Sequence, residues 1–217
     1  MLNIDTTVDI AAHEILEDGK VRELHCETGH AMTETRVIDG FIADLKAVFS
    51  ERFIDEYKLQ NPPDWFDIVQ EIKSKMHLVS ESRKNPISFR LPHSFDVEYA
   101  NMKQQMVEAA ISNSNTRGIS FKQGRVQFSA DLSRTKFTDV VERIISHVRQ
   151  LLLKPELQGV KYLFMVGSFS GCPMLGDAMV KQFSPRFKVM IPEAPMLSAI
   201  KGAVLFGHQI ELSKVRK

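Results

Sequence analysis

An apolar run that ends in a glycine turn is the feature that most constrains the fold of this chain. Residues 160–166 are mostly apolar, Gly167-Ser168 follows them, and a helical pattern begins a few residues later. A second short strand at 187–191 and a helix at 195–205 complete a β-α-β-α order. A strand that is apolar throughout is typical of a sheet covered on both faces. We therefore predict a mixed α/β (α+β) fold.

The first third of the chain has the pattern of a β-ribbon followed by helices. Apolar and polar residues alternate over residues 2–15, and Asp18-Gly19 precedes a second run at 21–26, which is typical of a hairpin. Apolar residues then recur every four positions over residues 37–49, and Pro62-Pro63 begins another helical pattern. The ribbon is therefore expected to lead into at least two helices.

The middle of the chain alternates between short strands and helices. A charged, proline-containing connector at 80–86 leads to a short strand at 87–91 and a helix at 95–111. A hairpin is predicted at 118–129 around Gly124, and a long helix with one apolar stripe at 132–153.

The composition argues against several classes of function. The chain has 217 residues, of which 43% are hydrophobic and 25% charged, and its net charge is +1, so there is no overall bias toward nucleic acid or an anionic membrane. No stretch reaches the roughly 18 apolar residues that a membrane span needs. Only two cysteines are present, Cys26 and Cys172, which is typical of a reducing compartment. We predict a cytosolic or nuclear protein that neither binds nucleic acid nor inserts into a membrane.

Two groups of reactive residues have competing interpretations. His25, Cys26 and His30 are close enough in sequence to suggest zinc, but no fourth ligand has suitable spacing. Cys172 lies near a predicted helix start, which could lower its pKa, whereas burial in the core is the alternative.

Three segments together resemble a known family. Residues 161–175, KYLFMVGSFSGCPML, resemble the adenosine motif of heat-shock-protein-70-like ATPases, and residues 189–207 resemble the segment that follows that motif. Residues 7–15, TVDIAAHEI, resemble the second phosphate motif. The order of these segments is most similar to the member 12 branch of the heat-shock protein 70 family, and the resemblance covers essentially the entire chain.

The resemblance implies an actin-like ATPase fold of two similar lobes, with nucleotide between them. This chain would supply only the second lobe. Its ribonuclease-H-like base would comprise residues 1–48 and 118–217, and a smaller helical subdomain would be inserted at 49–117. The implied partner is the missing first lobe or another protein chain.

The resemblance also implies ATP or ADP with magnesium as the ligand. Asp9 would hold the magnesium ion through a water molecule. The residues that match the family's nucleotide contacts are Thr6, Thr7, Asp9, Lys73, His77, Gly167, Ser168, Phe169 and Gly171. These matches also have purely structural interpretations. Thr7 and Asp9 would be polar residues on a β-ribbon, and Gly167 and Gly171 would permit close packing of strand and helix. Lys73, Lys75 and His77 would form an exposed helical face.

The chain departs from the family at the phosphate strand and at the adenosine-holding helix. In ungapped register, residues 2–6 stand where relatives have an acidic residue and three glycines, so Asp5 would place a negative charge near phosphate and Ile4 would obstruct the backbone. A one-residue slip would exchange the faces of this strand. In the inserted subdomain, Lys73 replaces an acidic residue, and Met76 and His77 replace basic ones.

These departures predict weak or degenerate nucleotide binding without independent hydrolysis. The alternatives are a noncatalytic interaction or scaffold domain derived from the same fold, and a fragment of a two-lobed ATPase.

Overall fold

The computed structural model describes residues 1–5, 7–30, 34–114 and 116–208. The chain forms two compact units, one of residues 1–33 and 142–217 and the other of residues 34–141. The described residues contain eight strands: β1 (Leu2–Ile4), β2 (Val8–Ile15), β3 (Val21–His30), β4 (Ile87–Arg90), β5 (Ile119–Lys122), β6 (Arg125–Phe128), β7 (Tyr162–Val166) and β8 (Lys188–Met190). They also contain eight α-helices: α1 (Glu34–Phe49), α2 (Glu51–Gln60), α3 (Pro62–Met76), α4 (His93–Lys103), α5 (Val107–Asn113), α6 (Ala130–Leu151), α7 (Pro173–Phe183) and α8 (Ser198–His208).

The first unit is built on a five-stranded sheet with the order β3-β2-β1-β7-β8. Strands β1, β2 and β3 form an antiparallel ribbon, whereas β7 pairs in parallel with both β1 and β8. An antiparallel ribbon followed by parallel strands is the arrangement expected of a ribonuclease-H-like base. The predicted mixed α/β class is confirmed.

The register of β1 decides which of its residues enter the core. Leu2 pairs with Ile10 and Ile4 with Val8, and all four side chains are buried. Since neighbouring residues of a strand point to opposite faces, Asn3 lies on the other face of the sheet. The expectation that Ile4 would obstruct a phosphate site is wrong, because its side chain is fully buried in the core.

Two other expectations about the first unit are wrong in detail. The alternating run at 2–15 is divided into two strands, β1 ending at Ile4 and β2 beginning at Val8, so the ribbon has three strands rather than two. Tyr162 and Phe164, at the start of β7, are 53% and 42% exposed, so the sheet is not covered on both faces there. An apolar sequence pattern indicates which side chains favour burial, but it does not show whether another element covers them.

The second unit contains a three-stranded antiparallel sheet of order β4-β6-β5 and helices α1 to α5. Phe41 of α1 packs edge-to-face on Phe89 and Phe128 of the sheet, with ring centroids 5.4 and 5.3 Å away. Lys136 of α6 lies 2.6 Å from Asp44 of α1. These contacts place α1 and the first part of α6 in this unit, so its bounds are wider than the 49–117 predicted for the inserted subdomain. The division into base and insertion stays a prediction.

Residues with positive φ form the turns of the second unit described next. Gln123 and Gly124 both have positive φ and join β5 to β6, as a two-residue hairpin requires, in agreement with the predicted hairpin. The helix predicted at 95–111 is instead split into α4 and α5, because Gln104 adopts the left-handed conformation at the end of α4.

None of the helices within the described ranges combines the length and the apolar character that crossing a bilayer requires.

Candidate functional site

The turn after β7 depends on a glycine at position 167. Gly167 has a φ of +92°, and a Cβ atom at this position would lie 2.4 Å from the carbonyl oxygen of Ile4. The neighbouring strand β1 therefore fixes both the conformation and the residue type of the turn. A short 3-10 helix, Phe169–Gly171, follows, and α7 begins at Pro173.

A hydrogen bond joins this turn to the turn between β1 and β2. The hydroxyl of Ser168 donates to Oδ1 of Asp5 at 2.6 Å. Both residues are half-buried. The backbone N–H of Asp5 donates to the carbonyl of Thr7 at 3.0 Å. The two segments that resemble the adenosine and phosphate motifs are thus neighbours within the first unit.

A third segment meets the same turn. The backbone N–H of Gly167 donates to the carbonyl oxygen of Pro195 at 3.0 Å. Pro195 begins a 3-10 helix, Pro195–Leu197, that leads directly into α8. The candidate site is therefore built from three chain segments, and we call the part at residues 167–171 the Gly167 turn.

Asp9 is held by donors from β1, from β3 and from Thr7, which immediately precedes β2. Its carboxylate accepts from the Thr7 hydroxyl at 3.2 Å, from the backbone N–H of Gly29 at 3.1 Å and from the Asn3 amide at 3.5 Å. Gly29 lies in a bulge of β3 and has a φ of +96°. A carboxylate offers about four acceptor positions, so about one remains for a magnesium-bound water molecule.

Burial controls the chemistry of Cys172. Its side chain is 1% exposed at the N-terminus of α7, and burial raises the pKa of the thiol to about 11, although hydrogen bonds from the Met174 and Leu175 backbone act in the opposite direction. The expectation that the helix start lowers this pKa is wrong, because desolvation outweighs those hydrogen bonds. The alternative, a cysteine buried in the core, is confirmed.

The remaining predicted contacts lie outside the first unit or outside the described residues. Lys73 and His77 belong to α3 and its C-terminal end in the second unit. The Lys73 ammonium lies 2.5 Å from the carboxylate of Glu34, whose side chain is only 5% exposed, so Lys73 is part of an ion pair rather than a free helical face. Thr6 lies outside the described residues.

The residues considered for zinc do not share one face of β3. His25 and Cys26 are adjacent in the strand and therefore point to opposite faces. His25 instead lies 3.4 Å from Glu27, which in turn lies 3.5 Å from His147. The structure leaves the side chain of His30 undescribed. Across the described part of the chain, no three His, Cys, Asp or Glu side chains are grouped closely enough to hold a metal ion.

The link between Asp5 and Ser168 is the part of the site that sequence reasoning missed. Both residues were singled out, Asp5 as a departure from the phosphate motif and Ser168 as part of the adenosine motif, but nothing connected them. Serine and aspartate are common polar residues, and nothing in their local sequence indicates a pairing.

Comparison with known proteins supports the resemblance. No protein-family model matches the chain. It is 34% identical over 213 residues to the human and mouse heat shock 70 kDa protein 12A, and 31% identical over 214 residues to the human heat shock 70 kDa protein 12B. These alignments include 97% of this chain but 31–32% of the relatives, so the chain spans about a third of their length. The similarity to the member 12 branch is confirmed.

Two solved structures have a related arrangement at low similarity. One is the activator of the 2-hydroxyisocaproyl-CoA dehydratase from Clostridium difficile, with bound ADPNP. It has a TM-score of 0.45 and 15% sequence identity to this chain, and the alignment covers 100% of this chain and 62% of the activator chain. The other is a non-polymerisable quadruple mutant of pCBH ParM. It has a TM-score of 0.49 and 10% sequence identity to this chain, and the alignment covers 96% of this chain and 46% of the ParM chain. At these values neither structure informs the ligands of this chain.

Proposed function

We propose that this chain is a nucleotide-binding lobe of the heat-shock-70-like type that binds adenine nucleotides weakly and does not hydrolyse them on its own. The observation that carries the proposal is the adjacency of the Gly167 turn and the β1–β2 turn, which are joined by the Ser168–Asp5 hydrogen bond. These are the two segments that resemble the adenosine and phosphate motifs. The nucleoside would lie at the Gly167 turn, beside Ser168, Gly171 and the backbone of Phe169, because the Phe169 side chain is buried in the core.

Weak binding follows from the chemistry of the β1–β2 turn. A phosphate loop needs backbone N–H groups that converge on the anion, and glycines allow that approach. Here the N–H of Asp5 already donates to Thr7, and the Asp5 side chain adds a negative charge. Thr7 would remain as a phosphate contact.

The absence of independent hydrolysis follows from the residues near the same strand. Leu2, which stands where relatives have a carboxylate, is buried in the core and has no group that could orient water or metal. If magnesium binds, Asp9 would hold it through water, because magnesium favours oxygen ligands and retains most of its own water. The protein donors to Asp9 leave little capacity for this role.

Calorimetric titration of the purified chain with adenosine, ADP and Mg-ATP tests the proposal. We expect weak binding that is reduced by Ser168→Val, which removes the hydroxyl at the turn, and is unchanged by Ser184→Val, an exposed serine at the other end of α7. No heat and no thermal shift with any of these ligands at millimolar concentration would contradict it. Steady release of phosphate from ATP, abolished by changing Asp9, would contradict the claim about hydrolysis.

A second candidate function is that of a noncatalytic interaction domain. The observation that favours it is the exposure of apolar side chains along α8, a helix with no buried residue. In this case the partner would be another protein chain, such as a first lobe of the same family, and the apolar surface would be its docking site. Co-purification with a separately expressed first lobe of a member 12 relative would support this function, and failure to form a complex at micromolar concentrations would count against it.

A further inference from the structure

The position of Asp5 relative to the Gly167 turn is fixed by backbone pairing. Asn3 of β1 pairs with Val166 of β7, and the carbonyl of Ile4 packs against Gly167. The side chain of Asp5 is then held by the Ser168 hydroxyl at 2.6 Å. Strand pairing and one side-chain hydrogen bond therefore place the carboxylate beside the Gly167 turn.

Among the side chains that the structure describes, the partner of the Asp5 carboxylate is not a cation. The side-chain donor to Asp5 is the neutral hydroxyl of Ser168. No lysine, arginine or histidine whose side chain is described, a set that leaves out His30, forms an ion pair with Asp5. A ligand at the Gly167 turn thus meets a negative charge that no described cation compensates. This charge is half-buried, so solvent screens it less than it would in bulk water.

We infer that Asp5 determines the ligand class of the Gly167 turn, and that the turn binds an uncharged nucleoside in preference to a nucleotide. This inference rests on the proposed function, since it takes the Gly167 turn as the place where the nucleoside lies. A phosphate that comes within about 5 Å of the carboxylate would lose about tenfold in affinity through charge repulsion. Adenosine has no charge, so Asp5 does not disfavour it in this way.

The test compares adenosine with ADP on three forms of the full chain, by equilibrium dialysis without divalent cations. The forms are the unmodified protein, Asp5→Asn, and the matched control Asp18→Asn, which removes an exposed aspartate from the β2–β3 turn of the same unit. We expect the unmodified protein to bind adenosine more tightly than ADP. Asp5→Asn should raise ADP affinity by about tenfold and change adenosine affinity by less than about threefold, whereas Asp18→Asn should change neither.

Salt provides a second measurement that needs no variant and so does not depend on the folding of Asp5→Asn. Raising the salt from about 0.02 M to about 0.5 M should improve ADP binding relative to adenosine binding, because the longer Debye length at low salt leaves the repulsion unscreened.

The outcomes separate this inference from the function on which it rests. If adenosine binds but the preference over ADP is unchanged by Asp5→Asn and by salt, the inference is overturned and the proposed function stands. If no form binds adenosine or ADP, both are overturned. If Asp18→Asn changes the preference as much as Asp5→Asn does, the effect is one of net charge and the inference is also overturned.

Discussion

At the scale of single residues, the surroundings of a side chain decide its chemistry more strongly than its position in a motif. Cys172 lies at the start of a helix, a place where thiols often become acidic. In this chain the thiol is buried and its pKa is raised to about 11, so about 0.1% or less of it is ionised at about pH 8. Cys26 is exposed on β3.

Alkylation should therefore distinguish the two cysteines. In the native protein at about pH 8, iodoacetamide should modify Cys26 at least about 100-fold faster than Cys172, because the thiolate is the nucleophile and Cys172 is also inaccessible. Mass spectrometry of peptides after timed labelling measures both rates. Cys26→Ser should leave the native protein almost unreactive, and both sites should react in denaturant. Equal labelling of the two cysteines in the native protein would refute the assignment.

At the scale of elements, an ion pair joins α1 to α3 in the second unit. Glu34 is almost fully buried at the first turn of α1, and Lys73 of α3 lies 2.5 Å from it. Removing one partner of such a pair takes away part of the stabilisation of the charge that stays in the interior. Lys73, which the sequence placed among nucleotide contacts, thus has a structural role in this unit.

Replacing Lys73 with methionine should lower the free energy of unfolding by about 1–3 kcal/mol, a range reduced from that of fully buried pairs because Lys73 is partly exposed. Lys75→Met, two residues along the same helix and outside this ion pair, should change it by less than about 0.5 kcal/mol. Urea unfolding measures both. The double variant Glu34→Gln, Lys73→Met should recover part of the lost free energy of unfolding. If the double variant is destabilised as much as Lys73→Met alone, the buried charge is not the cause.

At the scale of the whole molecule, one helix exposes most of its apolar side chains. Ile200, Val204, Leu205 and Phe206 of α8 are each more than half exposed, and Met196 just before the helix is 56% exposed. A helix that is apolar around most of its circumference is normally covered by other protein. We therefore expect the isolated chain to associate through this surface.

Sedimentation velocity over a range of concentrations tests this expectation. The unmodified chain should associate as concentration rises, and Ile200→Glu with Leu205→Glu should weaken the association at least about tenfold, because each glutamate would place a charge in the buried interface. Leu59→Glu, an exposed leucine of the second unit, is the matched control and should have no effect. A strictly monomeric unmodified chain would exclude an α8 surface that self-associates.

The sequence by itself determined the local features of this protein. The mixed α/β class, the β-ribbon, the Gly167 turn and the hairpin at Gly124 follow from periodicity and backbone preferences within about ten residues, and those preferences do not depend on the rest of the chain. The resemblance to the member 12 branch came from the order of such local motifs.

Only the tertiary structure decided which residues meet and which are buried. The Asp5–Ser168 hydrogen bond joins residues 163 positions apart, and the register that turns Ile4 into the core depends on the pairing of β1 with β2 and β7. The same holds for the burial of Cys172 and the exposure of Tyr162. Contacts and burial depend on the path of the entire chain. The groups that desolvate a side chain, cover it or place a charge beside it come from segments distant in sequence, and the local sequence does not encode them.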